Sequence, residues 1–427
     1  MPAPHAAVHA PIQTGYETIF LEHRGQVLAT LIGQLRDFDL AEEALQDALV
    51  SALEHWPVDG VPARPGAWLT TVSRRKAIDR LRKRRRTEDY EPGQFERRPR
   101  GVAAIDNTPD VSDDIPDERL KLMFTCCHPA LPGDQQVALT LHTLGGLTTV
   151  EIAAAFMVPL ATMAQRLVRA KKQIKDAHIP YQVPGGLEIA HRIDAVATVL
   201  YLIFTEGYGA SAGVMLMRHD LCDEAIRLAR VLRELITREA AAVPRVKRAE
   251  IIGLLALMLL HHSRRAARLD AAGELVLLAD QDRAAWDQGE IAEGLQLVDE
   301  ALALGRPGAY QIQAAISAVH AGAREAADTD WPQIAGLYDA LLVHLDTPMV
   351  RVNAAVAVSM AHGPEAGLRL LDDGAGGELY VHHLARADML RRAGRVDESR
   401  AAYDEAIRLC ANATEVASMR RQRGLLA

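Results

Sequence analysis

Between residues 67 and 86 the chain carries nine lysines and arginines and a single acid, Asp79; between 165 and 175 it carries five and no acid. The formal net charge of the 427 residues is -8. Bases gathered this tightly in an acidic chain are placed for a polyanion rather than spread for solubility. Two nucleic-acid contacts on one polypeptide are the chemistry this implies. Groups for covalent chemistry do not assemble in the same way, since no Ser/His/Asp set or carboxylate pair stands out. The stretch EGYGASAG at 206–213 lacks the Gly-Lys-Ser/Thr ending and the preceding strand of a phosphate loop, and reads as a turn between helices. Cys126-Cys127-His128 has the wrong spacing for a closed zinc site, because adjacent cysteines on a helix point in different directions. A structural role is expected for them and for His261-His262 and His382-His383. No catalytic residue, metal or cofactor is expected.

The elements that must position the basic segments are helical. Aromatic residues are only 4%, and Ala, Leu and Arg dominate over β-branched runs, so the expected fold class is all-α. At roughly 100–200 residues per domain, the length implies two to four domains. Four cysteines in a chain this long do not make a disulfide framework, which fits a reducing cytoplasm. Residues 1–14 read as a disordered tail without the character of a signal peptide. The apolar run IIGLLALMLL at 251–260 is too short to span a bilayer and reads as a buried helix, so no membrane partner is expected.

A first helix is expected over 17–35. A second starts near Asp39, an N-cap with Glu42 three residues on. Its apolar face is Leu45, Leu49 and Leu53 with Ala41 and Ala52, and it ends at a Trp56-Pro57 break. A Pro/Gly loop over 58–66 follows, and the basic helix begins after Pro65. Residues 101–118 hold six acids, no base and two prolines, a composition that suits a solvated tether and also a DNA mimic lying in a basic channel.

Residues 148–172 have helix-turn-helix proportions: TTVEIAAAF, a corner Met157-Val158-Pro159, and LATMAQRLVRAKK. Ala153 is the small residue where the helices approach, and Ile152, Phe156, Val158, Met163 and Leu167 are the buried set. That register turns Leu160, Ala161, Thr162, Gln165, Arg166 and Arg169 towards bases, with Lys171, Lys172 and Lys175 nearer phosphates. Helical hairpins in general share this spacing. A left-handed Met157 at the corner costs on the order of 1–2 kcal/mol, so a turn different from the usual glycine corner is expected. From about residue 187 onward the chain reads as Ala/Leu-rich helical repeats. Ala387, Gly394, Ser399, Tyr403 and Ala406 stand where a tetratricopeptide helix pair takes small, turn, small, aromatic and small residues.

Taken in order, the acidic helix, the Trp-Pro break, the loop and AWLTTVSRRKAIDRLRKRRR resemble region 2 of bacterial sigma factors, most closely the extracytoplasmic-function (ECF) group. LTTVEIAAAFMVPLATMAQRLVRAKKQIK is similar to region 4 of that group. RLKLMFTCCHPAL, YLIFTEGYGASAG, DRAAWDQGEIAEG and the repeat at Leu384 look like the subgroup with a tetratricopeptide-like carboxy-terminal extension.

The resemblance implies a promoter-specificity subunit of RNA polymerase, not an enzyme. It implies a region 2 over 15–90, an acidic linker over 91–116, a region 4 over 117–178 for the -35 element, a linker over 179–190 and a repeat domain over 191–427. It implies that Asp39, Glu42, Glu43, Leu45, Gln46 and Asp47 dock on the clamp helices of the largest polymerase subunit, with the flap region as a second polymerase contact. A merely solvated acidic face is the alternative for that helix. It further implies that Trp68, Thr71, Ser73, Arg74, Arg75, Lys76, Asp79, Arg80 and Arg82 melt and hold the -10 element, where extruding a base costs about a few kcal/mol. Trp68 and Ile78 also suit the core, which for Trp68 is the expected role; residues 83–86 suit nonspecific phosphate grip. The repeat domain is expected to take a protein or ligand partner and, with the acidic linker, to restrain the DNA-binding units. The other readings are a stand-alone helix-turn-helix regulator with a protein-binding repeat domain, and a scaffold that uses its repeats.

Overall fold

A computed structural model describes residues 10–88, 116–156, 158–209, 218–270, 275–305, 307–372, 377 and 379–426. Met157, most of the acidic linker and residues 210–213 of the EGYGASAG turn lie outside them. The chain divides into two compact units, Met1–Val199 and Leu200–Ala427. Among the described residues there is no β-strand, only an isolated bridge between Leu269 and Leu275. None of their helices is long and apolar enough to cross a membrane.

The first unit opens with α1 (Ala10–Leu35), α2 (Phe38–Asp59) and α3 (Pro65–Glu88). Helix α1 starts inside the stretch expected to be a disordered tail. Arg36 adopts a left-handed φ of 55° to turn the chain. Asp37, not Asp39, is the N-cap of α2: its backbone is extended and its carboxylate accepts from the Leu40 N–H at 3.0 Å. The cap therefore sits two residues earlier than the Asp39/Glu42 spacing suggests, which frees both of those acids for other partners. Pro57 does not break α2, which runs through it to Asp59 and ends at Gly60 with φ 82°. Pro57 gives up its own hydrogen bond to the Leu53 carbonyl and crowds that group, and the helix ends two residues later. The three helices close over Val27, Leu28, Leu31, Ala44, Ala48, Leu69 and Ala77, all fully buried. Trp56 seals one end, its ring 5.7, 5.3 and 5.5 Å from those of Tyr16, Phe20 and Trp68.

Four further helices follow: α4 (Pro116–Cys126), α5 (Gly133–Thr143), α6 (Thr149–Ala155) and α7 (Leu160–Asp176). Thr148 and Glu151 form a reciprocal capping box at the start of α6, with Glu151 accepting from the Thr148 N–H at 2.7 Å and Thr148 Oγ1 from the Glu151 N–H at 3.2 Å. In α7, Met163, Leu167, Ala170 and Ile174 make a buried stripe at helical spacing.

Helix α8 (Leu187–Tyr208) runs through the division between the units. In the second unit α9 (His219–Arg238), α11 (Gln288–Ala303) and α12 (Ala309–Gly322) surround α10 (Arg245–His262), whose residues 251–260 are all buried. The short apolar run is thus a core helix. Gly253 lets α12 approach, since a Cβ there would meet the Gln311 backbone at 2.7 Å. Glu250 accepts from the Tyr310 and Gln311 N–H groups, 3.1 Å each, at the start of α12. Helices α13 (Trp331–His344), α14 (Pro348–His362), α15 (Pro364–Asp372), α16 (Tyr380–Arg392), α17 (Val396–Leu409) and α18 (Ala413–Gly424) pack as successive neighbours. Between α16 and α17, Gly394 turns with φ 76° while Ala387, Ser399, Tyr403 and Ala406 are buried, in the pattern of small, turn and aromatic residues that the sequence carries.

Candidate polymerase and nucleic-acid interface

Helix α3 shows solvent a stripe of Thr71, Arg75, Asp79, Arg82 and Lys83. Arg74, Lys76 and Ile78 are half-buried at its flanks. Trp68 is half-buried with its ring edge-on to Trp56. Ser73 is fully buried, so it cannot touch DNA while the three helices stay packed. Arg80 reaches back to α2: its guanidinium donates to both carboxylate oxygens of Asp47, at 2.8 and 3.0 Å, and to Glu43 at 2.6 Å. That fork holds the Asp47 carboxyl below its ordinary range. Two acids expected to face polymerase and one base expected to face DNA therefore brace each other.

Along α2, Asp39 and Gln46 are exposed, while Leu45 is buried at 3% and belongs to the core. The apolar groups that α2 and the loop after it do show are Val50, Leu53, Val58 and Val61. Leu53 had the spacing of a core residue but lies outside, because α1 and α3 cover a narrower stripe of α2 than the heptad-like pattern suggests.

On α7 the exposed face is Leu160, Ala161, Thr162, Gln165, Val168, Arg169, Lys172 and Lys175. Arg166 is not free on it: its Nε lies 3.1 Å from Asp134 and its guanidinium rests over the Phe156 ring. Lys171 points the other way, with its ammonium 2.7 Å from Glu42 and 3.1 Å from Asp39. Leaving α6, the Val158 N–H donates to Ala153 at 3.0 Å, and Ala153 is buried where the two helices meet.

The α1–α3 and α4–α7 halves are packed on one another. Burial pushes the Glu42 carboxyl up, but its contacts with His142 and Lys171 outweigh this and hold it below the usual carboxylate range. Arg24 of α1 donates to the Gly146 carbonyl. Tyr181 is buried, with its hydroxyl 2.6 Å from the Ala29 carbonyl and 3.1 Å from that of Glu118; Arg36 lies over its ring. The start of the expected linker over 179–190 is thus a packed strap. Gly25 and Gly33 on α1 allow the approach: a Cβ would meet Leu144 O at 2.9 Å and the Glu118 carboxylate at 2.4 Å.

Residues 19–87 match the family Sigma-70 region 2 and residues 121–174 match Sigma-70, region 4. Residues 192–302 match a family of unknown function, DUF6596. An uncharacterized protein of Rhizobium meliloti is 43% identical over 408 residues, 93% of each chain. The ECF RNA polymerase sigma factor SigK of Mycobacterium tuberculosis is 30% identical over 166 residues, which are 37% of this chain and 82% of SigK; SigK of Mycobacterium bovis matches to the same extent. The chain belongs to the ECF RNA polymerase sigma factors. No solved structure matches it.

This sigma factor carries its two matched regions as the two packed halves of the first unit, and its partners are RNA polymerase core and promoter DNA. Of the residues read from sequence as surface contacts, Leu45 and Ser73 are internal, and Arg80, Arg166 and Lys171 are engaged within the chain. His142, Arg24 and Tyr181 were not legible as a set, because nothing in their spacing links α5 and the strap to α1 and α2. Cys126 and Cys127 are buried, with their thiols 3.6 and 3.8 Å from the hydroxyls of Thr143 and Thr140. Desolvation pushes both up, Cys127 to about 12. Among the described residues no His/Cys/Asp/Glu group could hold a metal ion.

Proposed function

We propose that this ECF sigma factor binds polymerase through the exposed side of α2, with Asp39, Gln46, Val50 and Leu53 against the clamp helices of the largest subunit. The α3 stripe of Thr71, Arg75, Asp79 and Arg82, with Arg74 and Lys76 at its flanks, then holds the unpaired -10 strand. Gln165, Arg169, Lys172 and Lys175 of α7 enter the -35 duplex, with Leu160, Ala161 and Thr162 at the leading end of the helix. Contact with the polymerase flap through the second half follows from the same reading, and the site of action is the cytoplasm. The protein acts by binding and not by catalysis.

The observation that carries this is the single exposed basic face of α7 behind a capped, correctly spaced α6. A helix entering the major groove reads bases with such a face while its lysines neutralise phosphates. In the free chain α7 also covers Glu42, so the sigma factor must open before α2 can dock with all its acids and before two separated promoter elements can be held. The second unit is read as the regulatory part.

The test is reconstitution of the full chain with core polymerase, followed by transcription from the promoter it selects in crosslinking. Arg169→Ala should weaken selection at the -35 element and leave core affinity intact. Equal transcription start sites with and without the protein would reject the proposal.

A further inference from the structure

The second unit contains a cavity of about 270 Å³, lined by none of the residues proposed above for promoter binding. Aromatic walls from Tyr201, Trp286 and Tyr338 enclose it, and Arg264, His261 and His320 bring polar groups to it. Its size is at the small end for ligand pockets, which run from roughly 300 Å³ upward.

Three features of the lining point the same way. The guanidinium of Arg264 has no carboxylate partner among the described residues; it donates to the Tyr208 hydroxyl at 2.6 Å, meets His261 Nδ1 at 3.3 Å and lies 5.8 Å from the centre of the Trp286 ring. Its sequence neighbour Arg265, by contrast, is matched by Asp287 and Glu290 at 3.0 and 2.8 Å. A second cation, Arg283, sits 4.7 Å from the centre of the Trp286 ring and donates only to the carbonyls of His320 and Ala323 and the hydroxyl of Thr329. Asp328 is the acid that acts on Arg283, so the cation of the lining left without a carboxylate among the described residues is Arg264. Both histidines are kept neutral, by desolvation first and then by the arginines; His320 is pushed down to about 4. Finally, the indole N–H of Trp286, a residue only 3% exposed, finds no acceptor among the described residues. A buried donor left without a partner costs stability unless something else satisfies it.

We infer that this cavity binds a small organic carboxylate with an aromatic body, the carboxylate meeting Arg264 and the ring packing between Tyr201, Trp286 and Tyr338. One forked guanidinium in an aromatic lining fits a planar monoanionic carboxylate attached to an apolar body. The inference is independent of promoter recognition, because binding is read without DNA or polymerase.

The experiment is calorimetric and fluorescence titration of the full chain with benzoate, phenylacetate and 4-hydroxybenzoate, with benzamide as the uncharged counterpart. At least one acid should bind saturably and alter tryptophan emission, while benzamide binds about tenfold or more weakly. Arg264→Gln should weaken the acid by about tenfold or more, and Arg408→Gln, on α17, which contributes nothing to the lining, should not. Should Arg264→Gln fail to fold, Trp286→Phe removes the indole donor and trims the aromatic wall, and should weaken the acid by about three- to tenfold. No saturable binding by any of the three acids would overturn the inference, as would benzamide binding as well as benzoate.

Discussion

Lys171 of α7 and Glu42 of α2 meet at 2.7 Å although 129 residues separate them. Their side chains are 13% and 23% exposed, so the pair is shielded from bulk water. Such a pair falls between a surface ion pair, which contributes about 0–1 kcal/mol, and a buried one, whose breaking costs about 3–5 kcal/mol. On the proposed docking of α2, it is a contact that polymerase binding gives up.

Lys171→Glu sets like charges together and should shift the first unit towards an open state by roughly tenfold or more. Resonance energy transfer between dyes on the exposed faces of α2 and α7 reads the change directly. Affinity for core polymerase should rise in parallel. Unchanged transfer efficiency would mean that this pair does not hold the halves together.

The same pair makes closure sensitive to acid. Glu42 has a folded pKa below its ordinary value, so its contribution is fully present above the ordinary glutamate range, near about 4.3, and is lost as pH falls through the lower folded value. Asp47, also depressed, adds a loss of the same sign. Thermal unfolding followed downward from neutral pH should show a steeper fall in wild type than in Glu42→Gln. Parallel curves would contradict this assignment.

Arg80 and Arg75 should behave differently. Removing Arg80 takes away the fork on Asp47; the side chains are 37% and 36% exposed, so a double-mutant cycle should give a coupling of only about 0.5–1 kcal/mol. Arg75→Ala should leave stability unchanged, weaken binding of the single-stranded -10 oligonucleotide, and lower the salt slope by about 1. An equal loss of oligonucleotide affinity in both variants would place Arg80 on the DNA surface after all.

On α7, Gln165→Ala and Arg169→Ala should relax discrimination at particular -35 positions by about 1–3 kcal/mol each. Arg166→Ala should instead lower the unfolding temperature through loss of Asp134 and Phe156. Competition binding against promoters altered base by base separates the two outcomes.

Cys126 and Cys127 should resist an aqueous thiol reagent in the native state, since neither thiolate is populated at neutral pH. Full labelling should require denaturant. Rapid native labelling at these two positions would show that the α4–α5 packing opens readily.

The helices and the two basic faces were legible in the residues themselves. A period of 3.6 in Met163, Leu167, Ala170 and Ile174 specifies which side of α7 is buried, and the remaining side must hold what is polar. The buried α10 and the turn at Gly394 follow from equally local rules. Tertiary structure decided where long side chains and ambiguous positions go. Leu45 and Leu53 share a helix and a residue type, yet one is core and the other surface, because the width of the stripe covered by α1 and α3 is a property of the packing. Lys171, Arg166 and Arg80 are bases in basic segments, but each turns to a carboxylate brought near by another helix. Charge pairs form between neighbours in space, and a one-dimensional pattern holds no record of who those neighbours are.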